Sequence, residues 1–322
     1  MRAARNIQGT GASGGIAIGK AFVLPHWEWD ITDGTKDVTD LAAEFERLYD
    51  GIRHSKQEIT SIKKEVSGSI GEQESMIFDA HLAILDDPAF MNEIRGIIQR
   101  QYKAAEVAVK EVIDKFVSMF DLLDDQYMKE RALDIKDVGN RLLRHLIGTP
   151  DLTLPADNKP FILVAREVSP SQLVHLNTNR VLGIVTMAGG AASHTAIMAR
   201  ALNIPLVIGL EGKMQEAIRT GDVLIIDGKT GRVIVSPSAE EIAQYSALKE
   251  HEARDRESLR ALAALPSMTA DRVRMTLLAN IASLRELESA LASGAEGVGL
   301  FRTEFIFMDR DDFPSEDEQY EI

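Results

Sequence analysis

Residues 181–209 read VLGIVTMAGGAASHTAIMARALNIPLVIG. The β-rich run VLGIVT is followed by the pair Gly189-Gly190, then by Ser193-His194 opening a helix-like stretch, then by a second β-rich run, PLVIG (205–209). Strand, tight turn, helix and strand in that order predict an α/β unit. With Ser193 as cap, His194 falls in the first helical turn, where free backbone N–H groups and the helix dipole favour an anion. The two glycines let that anion come close to the backbone. The positive end of a helix favours an imidazole that keeps a lone pair for attack on phosphorus, so nucleophile and phosphate cradle become one feature. The competing reading is a histidine that only caps a helix beside a Gly-Gly turn.

Working outward, FILVA (161–165), VLIID (223–227) and RVIVS (232–236) are further short β-rich runs that extend the same unit. Residues 12–25, ASGGIAIGKAFVLP, form another strand-like piece ending at Pro25; it belongs to the same unit if it joins that sheet. Between them, from about 38 to 147, apolar residues recur at three- and four-residue steps. Leu41, Phe45, Leu48, Ile52, Ile59 and Ile62 make one such stripe, Val109, Val112, Phe116 and Phe120 a second, and Ile135, Val138, Leu142 and Leu146 a third. Four long helices packed on one another would bury them, with a restart at Pro88 capped by Asp87. Residues 238–264 carry mixed charge at helical spacing and predict a connecting helix. RMTLLANI, LRELESALASG and GVGLF after it predict strand, helix and strand, the opening of a βα barrel.

The chain has 322 residues, enough for two domains with real cores. Fifty acidic residues against thirty-six basic ones leave a net charge of −14, which disfavours nucleic acid and anionic lipid and favours a basic protein partner. No cysteine is present, so disulfides and thiolate chemistry are excluded within these residues, in keeping with a cytoplasmic setting. The start MRAARNIQGTGASGG has basic residues but no apolar signal segment, and no window approaches a membrane span.

The string GGAASHTAIMARALNIPLVIG closely resembles the phosphohistidine signature shared by enzyme I of the bacterial phosphoenolpyruvate-dependent phosphotransferase system, phosphoenolpyruvate synthase and pyruvate phosphate dikinase. Three further stretches resemble enzyme I in particular. GASGGIAIGKAFVL is similar to its opening, MIFDAHLAILDDPAF and ERALDIKDVGNRLLRHLIG to its helical insert, and GAEGVGLFRTEFIFMDRD to the start of its phosphoenolpyruvate-binding barrel. The resemblance implies an α/β phosphohistidine (swivelling) domain in two parts, 1–37 and 149–237, interrupted by a helical HPr-binding domain at 38–148. A linker helix at 238–265 and the beginning of a (β/α)8 barrel at 266–322 would follow. It also implies a phosphotransferase in which phosphoenolpyruvate, with magnesium, phosphorylates the histidine, and the histidine phosphorylates the small carrier HPr. His194 would then visit two sites by movement about the 150–160 and 238–264 connectors. Two alternatives remain at this point: the swivelling domain of a synthase or dikinase-like enzyme, and a non-enzymatic regulator that reads phosphorylation of His194 as a signal.

Carried over residue by residue, the resemblance makes His194 the phosphoryl carrier, flanked by Gly189, Gly190 and Thr195. Ser169, in VSPSQL, stands where many relatives have a threonine that contacts the phosphohistidine; a plain cap for the helix after Pro170 is the equal alternative. Arg302 matches an arginine that grips phosphoenolpyruvate, against the bland reading of a salt bridge with Glu304. Glu72, His81, Ile84, Phe90 and Arg131 are the expected HPr contacts, ringed by acidic charge. The second substrate arginine, the magnesium carboxylates and the acid cysteine of the family are expected downstream of these residues, as is homodimerisation through a full barrel. The remaining histidines, including His145 and His175, show no ligand spacing.

Overall fold

The structure, a computed structural model, describes residues 5–24, 31, 38–122, 126–148, 158–176, 180–191, 193–210, 218–281, 284–307 and 312–322. In chain order the elements are β1 (Arg5–Gln8), β2 (Thr10–Ser13), β3 (Ile16–Val23), α1 (Leu41–Ser69), α2 (Glu72–Ser75), α3 (Ile77–Asp86), α4 (Pro88–Gln101), α5 (Ala105–Asp121) and α6 (Gln126–Ile147). There follow β4 (Phe161–Ala165), α7 (Pro170–His175), β5 (Val181–Thr186), α8 (His194–Ala201), β6 (Leu206–Ile208), β7 (Val223–Asp227), β8 (Arg232–Val235) and α9 (Ala239–Leu262). The last are β9 (Leu278–Ile281), α10 (Leu284–Ala292), β10 (Gly297–Phe301), α11 (Glu304–Phe307) and α12 (Glu316–Glu321). Contacts divide the chain into two compact units, Met1–Ser246 and Ala247–Ile322. Among the described residues no helix is long and apolar enough to cross a membrane.

In the first unit β1 to β8 form one sheet in the order β1-β8-β7-β3-β4-β5-β6-β2. The amino-terminal strands therefore share the sheet of β4 to β8. β3 pairs parallel with β4, and parallel neighbours need a crossover; here the crossover is the whole helical block α1 to α6. The sequence predicts one strand over residues 12–25, but the structure breaks it at Gly14-Gly15 and adds β1 before it; Pro25 lies outside the described residues. β1 and β2 lie at opposite ends of the strand order although only Gly9 separates them, so the sheet must roll until its edges approach. Gly228 sits at that closure, where an added Cβ would collide with the Ser13 carbonyl oxygen.

Alternation along β4 shows how the sheet is covered. Phe161, Leu163 and Ala165 join the core that runs into the helical block, while Ile162 and Val164 join a second core on the other face. The strand is buried at all five positions, as a central strand covered on both sides requires.

In the helical block α1, α4, α5 and α6 are the long helices, and the short α2 and α3 separate α1 from α4, a break that apolar spacing alone does not reveal. On α1, Leu48, Ile52, Ile59, Ile62 and Val66 are buried, and Ser55 fills the gap in that stripe, its hydroxyl donating to the Gly51 carbonyl at 2.8 Å. Each such apolar side chain contributes roughly 1.5–3 kcal/mol. Asp87 caps α4 by accepting from the Ala89 and Phe90 amides, with Pro88 in the first turn.

Ser238 and Glu241 form a capping box at the start of α9, and Tyr245 packs its ring on Ile16, Ile225 and Ile234. In the second unit β9 and β10 pair in parallel across α10, a βαβ unit. Leu278, Val298 and Leu300 on these strands are exposed.

Candidate functional site

β5 delivers the chain to the site. At its end the buried Thr186 hydroxyl donates to the Ala188 carbonyl at 2.8 Å, and the Met187 and Ala188 amides donate to the carbonyls of Ala165, which ends β4, and Arg166. Gly189 then takes φ +121°, a conformation that a side chain would strain. The Gly190 carbonyl accepts the Ser193 amide at 3.0 Å, which closes the turn. Ser193 caps α8, its Oγ accepting from the Ala196 amide at 3.3 Å. His194 is the first residue of α8 and half-buried. The amides that open α8 have no preceding helical carbonyl, and that of Ala196 is taken up by the Ser193 hydroxyl.

Two side chains fix this turn from either end of α8. Thr195 Oγ1 donates to the Val168 carbonyl at 2.7 Å and ties α8 to the segment before α7. Arg200 donates to the carbonyls of Ala12 on β2, at 2.8 Å, and Ala191 in the turn, at 3.0 Å. Sequence reasoning passed over Arg200. Its signal was a lone guanidinium six residues after the histidine on the same short helix, where it can reach back to the turn.

Ser169 is the N-cap of α7 in a full capping box: its Oγ accepts the Gln172 amide at 3.2 Å, and Gln172 Oε1 accepts the Ser169 amide at 3.0 Å. Its hydroxyl oxygen is thereby engaged in holding α7. Arg302 follows β10 in the second unit, its amide donating to the Ile281 carbonyl at 2.8 Å.

The expected partner surface divides. Glu72 is exposed at the start of α2, a helix in contact with α8. Ile84 is half-buried on α3, and the Arg131 guanidinium lies 3.6 Å from Asp134. His81 and Phe90 are corrected to interior residues, at 0% and 2% exposure. Phe90 packs edge-on to Phe116, and the His81 ring sits between Asp134 and Asp137. Both occupy inward positions of their helices, a phase that the local pattern MIFDAHLAILDDPAF left undetermined.

Residues 8–131 match the family description "PEP-utilising enzyme, N-terminal", 157–231 its mobile domain and 256–322 its PEP-binding domain. The phosphoenolpyruvate-protein phosphotransferase of Listeria monocytogenes is 39% identical over 318 residues, covering 99% of this chain and 55% of the relative. That of Haemophilus influenzae is 39% identical over 316 residues, covering 98% and 54%. The chain thus spans about half the length of the curated relatives it matches. Among solved structures, the solution structure of enzyme I (nEIt) is 34% identical, with TM-score 0.61, 77% of this chain and 99% of that one covered. The N-terminal domain of enzyme 1 - nitrogen is 33% identical, with TM-score 0.51 and coverage of 75% and 98%. With nearly the whole of both solved chains matched at this identity, the chain belongs to the enzyme I family of PEP-utilising proteins.

Proposed function

We propose that this chain is the phosphoryl-carrying part of a phosphoenolpyruvate-protein phosphotransferase, in which His194 accepts a phosphoryl group and passes it to an HPr-like carrier. The observation that carries this reading is His194 at the first position of α8, directly after the Gly189 turn and the Ser193 cap. An imidazole nitrogen attacks phosphorus in line, the N–P bond forms as the bond from phosphorus to the donor oxygen breaks, and that oxygen keeps the electron pair. The amides of His194 and Thr195 at the start of α8 face the charge on the phosphoryl oxygens, and Thr195 and Arg200 keep the turn in place. Transfer onward reverses the geometry, with a carrier side chain as the nucleophile.

The carrier docks on the helical block, where Glu72, Ile84 and Arg131 remain as contacts and the buried His81 and Phe90 support the surface from behind. The net charge of −14 suits a basic partner. In the whole protein, phosphoenolpyruvate is the first donor, Arg302 helps bind it, the segment from 266 onward opens a βα barrel through which two copies pair, and the setting is the cytoplasm. Magnesium would accompany phosphoenolpyruvate in the whole protein; the steps assigned to this chain are those of its own residues. The test is incubation with a radiolabelled phospho-HPr-like carrier. Acid-labile, base-stable label on His194 is expected; label located on any other residue would overturn the assignment.

A further inference from the structure

The segment from Glu167 to Ser171 runs between two helices and is held by both. From α8, Thr195 donates to the Val168 carbonyl at 2.7 Å. From α6, the Lys136 ammonium lies 3.2 Å from the Glu167 carboxylate, and Asp137 Oδ2 accepts the Ser171 hydroxyl at 2.8 Å. Ser171 is 2% exposed and the Asp137 side chain 11%, so this charge-assisted bond is shielded from water. Asp137 is backed in turn by the His81 ring, whose Nδ1 lies 3.8 Å from the same Oδ2 and whose Nε2 lies 3.5 Å from Asp134 Oδ1. The edge of Phe78 holds that ring in place. Lys136, Asp137, Ser171 and His81 have no part in the transfer step proposed above.

We propose that Asp137 is a positioning residue for His194: acting through Ser171, its carboxylate fixes the 167–171 segment and with it the Val168 carbonyl that anchors the first turn of α8. The inference rests on the reading of His194 as the phosphoryl carrier and adds to it the element that aligns the ring. Ser169 caps α7 from within and Thr195 ties Val168 to α8, bonds that hold the segment to these two helices but not to the helical block. The grip of α6 adds that hold. In-line attack tolerates little displacement, and a shift on the order of 1 Å costs roughly a hundredfold in rate.

Asp137→Ala, which leaves the Ser171 hydroxyl without that acceptor, and Ser171→Ala leave the apolar cores intact and preserve the helical content. In each, transfer from a phospho-HPr-like carrier at saturation falls roughly tenfold to a hundredfold while KM stays within about twofold. The double variant falls no further than either single one, because both remove the same contact. Ser171→Thr, which keeps a hydroxyl, recovers most of the rate. Independently of transfer, the ring resonances of His194 in nitrogen-edited NMR spectra shift in Asp137→Ala and Ser171→Ala and stay near the wild-type positions in Ser171→Thr. Unmoved ring resonances in the two damaging variants, a loss confined to KM, or additive losses would each overturn the positioning role. Absence of label on wild-type His194 would instead overturn the functional reading, and the NMR comparison would still decide whether Asp137 sets the ring.

Discussion

The sheet and the helical block of the first unit share one apolar core yet secure their polar groups in opposite ways. Around His194 nearly every fixing contact ends on a backbone carbonyl or amide: Thr186 on Ala188, Thr195 on Val168, Arg200 on Ala12 and Ala191, Ser193 on Ala196. In the helical block the fixing contacts run between charged side chains on different helices, with Glu58 as the hub. Its carboxylate takes Arg141 at 2.7 Å and His145 at 2.9 Å, and Arg144 also reaches it. Substituting a side chain in the first network removes one bond and leaves no charge stranded; substituting the hub of the second leaves several charges without their partner. The two regions should therefore answer mutation in different currencies, activity in one and stability in the other.

The largest effect belongs to His194. As a half-buried first-turn residue it adds little packing, so His194→Ala should abolish phosphoryl acceptance while changing the unfolding free energy by less than about 1 kcal/mol. Labelling and a denaturant titration on the same sample check both halves. Persisting label would end the assignment, and a large loss of stability would end the contrast between the regions. Glu58→Gln should behave in the opposite sense. Arg141 is 5% exposed and would lose its carboxylate, so stability should drop by on the order of 3 kcal/mol, while transfer measured well below the melting point stays near wild type.

The same contrast decided how much the sequence disclosed. The His194 turn is local: strand, glycine pair, cap and histidine lie within fifteen residues, so spacing placed all of them, and Asp87-Pro88 was legible for the same reason. Closure of the sheet was not legible, because Gly9 alone brings together strands whose partners, β8 and β6, lie some two hundred residues downstream. His81 and Phe90 were misplaced because a helix face is inside or outside only relative to neighbours, and α2 and α3 reset the phase between α1 and α4. The Asp137–Ser171 bond joins residues 34 apart on two helices with β4 between them in the chain, and no short pattern marks it.

Arg131→Glu should have the next smaller effect. It places a carboxylate beside Asp134 and reverses one charge at the proposed docking face, which should weaken the carrier by about tenfold, or ~1.4 kcal/mol, while transfer at saturation recovers. Titration calorimetry reads the affinity directly. Unchanged affinity would move the docking surface away from α6, and the helical block would then lose its proposed role while keeping its charge hub.

The smallest effect tests that hub at its titratable edge. Burial pushes the His145 imidazole below the usual histidine range; Glu58 opposes the shift, and Arg144 and the stacked His54 add to it. With its folded value lowered, His145 binds a proton less readily in the native chain than in the unfolded one. Stability from this group is therefore complete above the unfolded value, about 6.5, and is lost as pH falls through that value toward the folded one. His145→Gln removes the titration but also the bond to Glu58, so its Tm should start lower at pH 7 and fall less steeply than wild type toward pH 5. Because the ring is partly solvated, the change in the gap should stay under about 2 °C. Calorimetric scans at pH 7, 6 and 5 would show it. An equal slope in both proteins would mean that protonation at His145 is matched by its attraction to Glu58, and that the hub senses charge only through its arginines.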